Sequence, residues 1–172
     1  MNALYDSISH GLSPVSVWVV GFGNEYREDD GAGVILASRI YEFLREDRGV
    51  DANLCLEHQL LPELVSEMTA ADLVIFCDAD TAVYEDGFCI REIFPDSRLD
   101  GFNIHSMGPE WLLALAKRTG ADKPKKALLA TVSGERFDFS ENVTPVCLAR
   151  IDKALNSFRF LWYDENNDKN NR

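Results

Sequence analysis

Basic residues are scarce in this chain. Its 172 residues carry 17 Lys and Arg against 29 Asp and Glu, a formal charge of −12. A field of that sign repels phosphate backbones and argues against a nucleic-acid partner. Paired cysteines are missing as well. Cys55, Cys77, Cys89 and Cys147 are scattered without a CxxC pair, so neither a structural zinc site nor a thioredoxin-type redox motif is supported. No apolar run approaches the ~20 residues needed to span a bilayer. The opening MNALYDSISHGL lacks a basic n-region and a long apolar stretch, and does not read as a signal peptide. A cytoplasmic monomer is the expectation, with no membrane partner.

What the chain does have is the composition of an ordinary globular domain, 46% hydrophobic and 27% charged. Its length suits one domain. Strand signals fall at Val15–Val20, Asn53–Glu57, Leu73–Cys77, Phe88–Ile93 and Ala127–Val132. The first and third are nearly continuous apolar runs, as in strands covered on both faces. Helical periods lie between them: Leu36, Ile40, Phe43 and Leu44, then Leu61, Leu64, Val65 and Met68, then Leu112, Leu115 and Ala116. Thr119-Gly120 closes the third as a C-cap. Thr144 and Pro145 open a last helix as N-cap and first-turn residue, followed by the stripe Leu148, Ile151, Leu155 and Phe158.

This alternation predicts a single-domain three-layer α/β/α sandwich around a mixed, mainly parallel five-stranded sheet. Phe88–Ile93 follows Leu73–Cys77 too soon for a helical crossover, so the two are expected to be antiparallel neighbours. Residues 1–14 read as a loose N-terminal segment, 15–160 as the domain, and 161–172 as a polar C-terminal tail.

The segment VSVWVVGFGNEYREDDGAG, from Val15 to Gly33, carries the densest chemistry. Gly21 and Gly23 begin a G-x-G-x-x-G fingerprint, but Tyr26 stands at the third position, where its bulk would obstruct helix–strand packing. The carboxylates ahead of the helix would repel a pyrophosphate, and no Gly-Lys-Ser/Thr of a P-loop is present. A nucleotide site is therefore disfavoured. Asp29 and Asp30 stand at a helix start, where one aspartate suffices as a cap. Asp29 is assigned that duty, leaving Asp30 to face the crevice. Asp78 ends the apolar strand LVIFC, where a turn or cap duty is the bland reading and Asp80 the likelier cap, and Cys77 should face the core. His105 precedes the third helix. His58 occupies an equivalent strand-to-helix junction and could line the same crevice. Asp30, Asp78 and His105 thus share one rim, and two carboxylates with an imidazole suit zinc, nickel, cobalt or manganese.

Gly21-Phe22-Gly23-Asn24, then Asp29-Asp30-Gly31-Ala32-Gly33, resembles the opening motif of the maturation endopeptidases of nickel–iron hydrogenases. The likeness continues through HQLLPELVSEMTAADLVIFCDA, IHSMGPEWLLALA and VSGERFDFSENVTP, from Val15 to about Leu155. HQLLPEL is more similar to the type serving bidirectional or group-one hydrogenases than to the formate hydrogenlyase type. The resemblance makes 15–160 a maturation protease domain, with Asp30 and Asp78 catalytic and Asp30, Asp78 and His105 gathered on one metal. Some members carry glutamate where Asp30 stands. The Val132-Ser133-Gly134-Glu135 segment resembles a family loop near the cleft and is given no catalytic role. The implied activity is removal of the C-terminal extension of a hydrogenase large-subunit precursor after nickel insertion, with nickel on the substrate as the signal and no organic cofactor. Two chemistries stay open: a carboxylate-held metal activating carbonyl or water, which is preferred, and a proton-sharing aspartate pair. The general base is unassigned. A non-catalytic nickel- or precursor-binding chaperone on the same fold is the alternative.

Overall fold

The structure, a computed structural model, describes residues 14–96 and 108–167, with side chains as far as residue 163. Five strands form one sheet: β1 (Val15–Phe22), β2 (Val50–Glu57), β3 (Leu73–Asp80), β4 (Phe88–Glu92) and β5 (Lys126–Ser133). Four α-helices accompany them: α1 (Ala32–Leu44), α2 (Val65–Met68), α3 (Pro109–Arg118) and α4 (Pro145–Asn167). The strand order is β2-β1-β3-β5-β4, parallel except for β4. The mixed, mainly parallel α/β sandwich expected from the sequence is the observed architecture.

Alternation along the strands divides the core in two. Val17 and Val19 of β1, Leu73, Ile75 and Cys77 of β3, and Leu128, Ala130 and Val132 of β5 pack under α1 and α4. Trp18, Val20, Val74, Phe76, Ala127 and Leu129 face the other way, against Leu64, Met68, Leu112 and Ala116. Each of these side chains is at or close to full burial. A buried aliphatic or aromatic side chain contributes about 1.5–3 kcal/mol, so the two faces supply most of the driving force for the layers.

Three expectations are corrected. β4 does not pair with β3: β5 lies between them, parallel to β3 and antiparallel to β4. β3 is apolar on both faces and needs neighbours on both edges, whereas the half-exposed FCIRE of β4 suits a sheet edge. The helical stripe at Leu61–Met68 becomes a 3₁₀ turn, Pro62–Leu64, running into a single α-helical turn. The C-terminal helix continues through Asn167, beyond the boundary at 161. Trp162 is buried, stacked on Phe158 and donating its indole N–H to Asp47 Oδ2 at 3.2 Å. Among the described residues, no helix is long and apolar enough to cross a membrane.

Candidate active site

The chain leaves β1 through α1, on one face of the sheet, to β2 on one side; it leaves β3 to β4 at the opposite edge and returns through α3, on the other face, to β5. The carboxyl ends of these adjacent parallel strands therefore flank a topological switch point, where open α/β sheets form their crevices. Gly21 pairs with Cys77, so the segments that carry Asp30 and Asp78 emerge side by side.

Two glycines permit the close approach. A Cβ on Gly33 would lie 2.6 Å from the carbonyl oxygens of Phe22 and Cys77 and 2.8 Å from Asp78 Cα. The first turn of α1 can sit against both strand ends only because that atom is absent. Gly23, at φ +137°, leaves room for the Asp30 carbonyl in a conformation that an L side chain resists. Asn24 N then donates to Asp30 Oδ2 at 3.0 Å, which folds the turn around the carboxylate. The close contact anticipated at Tyr26 falls at Gly33 instead. The connection from β1 to α1 is longer than a dinucleotide turn, and Tyr26 projects outward, 65% exposed.

Asp78 ends the apolar run of β3. Its Oδ1 accepts the Ala79 N–H at 2.8 Å. Burial pushes its carboxyl up to about 7, against the pull of that hydrogen bond, and the nearby charges of Asp30 and Asp80 add to the rise. A carboxyl titrating near neutrality can give or take a proton under ordinary conditions. Asp80 caps no helix: it ends β3 and folds the turn after it, accepting from Ala82 N at 3.1 Å and from the Tyr84 hydroxyl at 3.0 Å. Cys77 is fully buried in the core, which raises its thiol pKa.

Asp29 differs most from its expected role. Neither the 3₁₀ turn Glu28–Gly31 nor α1 receives a side-chain cap. Asp29 is instead fully buried and accepts from Glu135 N at 2.8 Å, Arg136 N at 3.2 Å, Thr144 N at 2.8 Å and Thr144 Oγ1 at 3.1 Å. Burial alone would raise its pKa, but these bonds outweigh it and hold the carboxylate below its ordinary value. Nothing local to the Asp-Asp pair announces this, because its partners lie more than a hundred residues downstream.

Of the other expected participants, His105 lies outside the described residues. His58 follows β2 and is exposed. Among the described residues, no three His, Cys, Asp or Glu side chains gather as a metal-binding group. Asp30 and Asp78 supply two oxygen-donor side chains on one rim. The loops after β1, β3 and β5 also present apolar side chains to solvent, Tyr26 at 65%, Val83 at 93% and Phe139 at 90% exposure.

No protein-family model and no curated protein matches the chain. Solved structures do. The NiFe hydrogenase maturation protease HycI from Thermococcus kodakarensis aligns with a TM-score of 0.60 at 22% identity, over 92% of this chain and 99% of that one. The hydrogenase-maturating endopeptidase HybD from E. coli aligns at 0.57 and 24% identity, over 84% and 90%. A hydrogenase 2 maturation peptidase from a Thaumarchaeota archaeon aligns at 0.55 and 22%, over 83% and 95%. The chain has the fold of the hydrogenase maturation endopeptidases.

Proposed function

We propose that this protein is an endopeptidase that removes the C-terminal extension of a nickel–iron hydrogenase large-subunit precursor once nickel has been inserted. One observation supports the reading: the segments carrying Asp30 and Asp78 emerge side by side at the switch point of a fold shared with hydrogenase maturation endopeptidases, and burial with nearby charge raises the Asp78 carboxyl to about 7. Exposed Tyr26, Val83 and Phe139, on the loops that follow β1, β3 and β5, suit a polypeptide better than a small polar metabolite.

The roles follow from chemistry. Asp30 and Asp78 offer carboxylate oxygens to the nickel that the precursor presents, and His105 is assigned as the third ligand by the sequence resemblance. Nickel held there would act as a Lewis acid on the scissile carbonyl or its attacking water. Asp30, fixed through the Asn24 amide, orients the nickel-bearing segment. In the alternative scheme, where Asp78 does not ligate nickel, its raised carboxyl holds or releases a proton beside the cut. The apolar loops grip the chain on either side.

The decisive experiment incubates purified protein with nickel-loaded and nickel-free precursor and reads the intact mass of the large subunit. Loss of the extension from the loaded form only, abolished in Asp78→Asn, is the expected result. A precursor bound but never shortened would make the protein a maturation chaperone instead.

A further inference from the structure

We infer that Asp29 is the positioning residue that sets Asp30 against Asp78, an assignment that rests on reading those two carboxylates as the site. A buried carboxylate is costly unless its oxygens are satisfied. Asp29 meets that condition with its oxygens accepting from the loop between β5 and α4, at Glu135, Arg136 and Thr144, the last being the residue before the helix. Its own backbone N–H donates to Arg136 O at 3.0 Å, so the two segments are joined in both directions.

The start of that loop is in turn fastened to the end of β3, and the last residue of β5 to the connection between β3 and β4. Gly134 N donates to Asp80 O at 2.8 Å, Ser133 N to Gly87 O at 2.9 Å, and Tyr84 N to Ser133 Oγ at 3.3 Å. A short path therefore leads from Asp30 to Asp29, across a hydrogen bond to Glu135, along the chain to Gly134, and across a second bond to the carbonyl of Asp80, two residues beyond Asp78 on β3. Gly134 makes the path possible: a Cβ there would stand 3.0 Å from Asp29 Cβ and 2.6 Å from Phe137 Cζ.

The preceding residue is held in a conformation it would not choose alone. Glu28 is buried at φ +46°, its N–H bonded to Ser140 O at 2.7 Å and its Oε2 accepting Asp138 N at 3.2 Å. Such backbone costs about 1–3 kcal/mol and persists only where its surroundings over-determine it. The strain lies one residue before Asp29 and two before Asp30. The 134–144 loop thus acts as a splint across the crevice, with Asp29 as its fastening.

The test compares wild type with Asp29→Asn, which keeps the shape but turns an amide group toward backbone donors, and with the milder Thr144→Val. With nickel-loaded precursor, the expected result for Asp29→Asn is a kcat lower by about 10- to 100-fold. KM should stay within about twofold, because the exposed apolar loop residues are untouched. Amide exchange, read by NMR on the free protein, supplies a measurement independent of cleavage. The Asn24 and Gly134 amides, which bond Asp30 and Asp80 and not Asp29, should exchange about tenfold faster in Asp29→Asn and less so in Thr144→Val. Faster exchange confined to Glu135, Arg136 and Thr144 would overturn the inference, as would an unchanged kcat in a folded variant. Wild type and Asp78→Asn run alongside: a wild type that leaves precursor whole removes the protease reading, and the Asn24 and Gly134 amides still decide the case of Asp29.

Discussion

Replacing Asp78 by Asn should stabilise the protein at alkaline pH while abolishing its activity. In the folded state the Asp78 carboxyl is raised from its ordinary 3.8 to about 7, first by burial and then by the charges of Asp30 and Asp80. Below the unfolded value both states hold the proton and the side chain costs nothing extra. Between about 4 and 7 the unfolded chain ionises and the folded one does not, so folding stability falls as pH rises. Above the folded value the loss is complete. At about 1.36 kcal/mol per pH unit, the full span is worth an upper figure of about 4 kcal/mol. Asn has no charge to desolvate, and its Oδ1 can still accept the Ala79 N–H that Asp78 receives at 2.8 Å. Urea denaturation of both proteins at pH 4, 5.5, 7 and 8.5 measures the difference. It should grow from near zero at the acid end to between about 2 and 4 kcal/mol at the alkaline end, in favour of the variant. A pH-independent difference, or an Asn variant less stable at pH 8.5, would falsify the assignment of Asp78 as a carboxyl strained by its surroundings. The same charges imply that Asp30→Asn should move the Asp78 titration, followed by carboxyl 13C shifts, toward lower pH.

Two packing predictions stand beside it. Gly33→Ala must push α1 away from two carbonyl oxygens that its Cβ would meet at 2.6 Å, with no flexible side chain to yield. A loss of about 2–4 kcal/mol is expected in chemical denaturation, with cleavage falling further than stability because Asp78 shares the contact. Trp162→Ala removes a buried indole stacked on Phe158 and bonded to Asp47. It should cost about 3–5 kcal/mol, and a melting temperature unchanged from wild type would mean that the helix beyond residue 160 does not belong to the core.

The legible parts of the sequence are those governed by short-range physics. Apolar runs at Val15–Val20 and Leu73–Cys77 mark strands buried on both faces, and they are central in the sheet. Thr144 and Pro145 mark a helix start because a hydroxyl and a fixed φ satisfy that start locally; Thr144 Oγ1 accepts the Cys147 N–H at 3.2 Å. The same logic brought Asp30 and Asp78 to one rim, since residues that follow parallel strands emerge at the same end of the sheet. Residues 161–172 read as tail, yet the buried Trp162 extends the apolar stripe of α4 and the helix runs on to Asn167.

The sequence by itself thus determined the five strands and the helices that begin near Ala32, Pro109 and Pro145, and it put Asp30 and Asp78 near the ends of strands of one sheet. Only the tertiary structure decided that β5 enters between β3 and β4. Pairing is chosen by which edge of β3 is left uncovered, and not by proximity along the chain. It likewise decided what Asp29 does. Next to a helix start an aspartate reads as a cap, but its four donors come from residues 106 to 115 positions away. Two identical adjacent side chains acquire different duties because one faces the packed loop and the other the open crevice. That difference exists only once β1, β3 and β5 lie side by side.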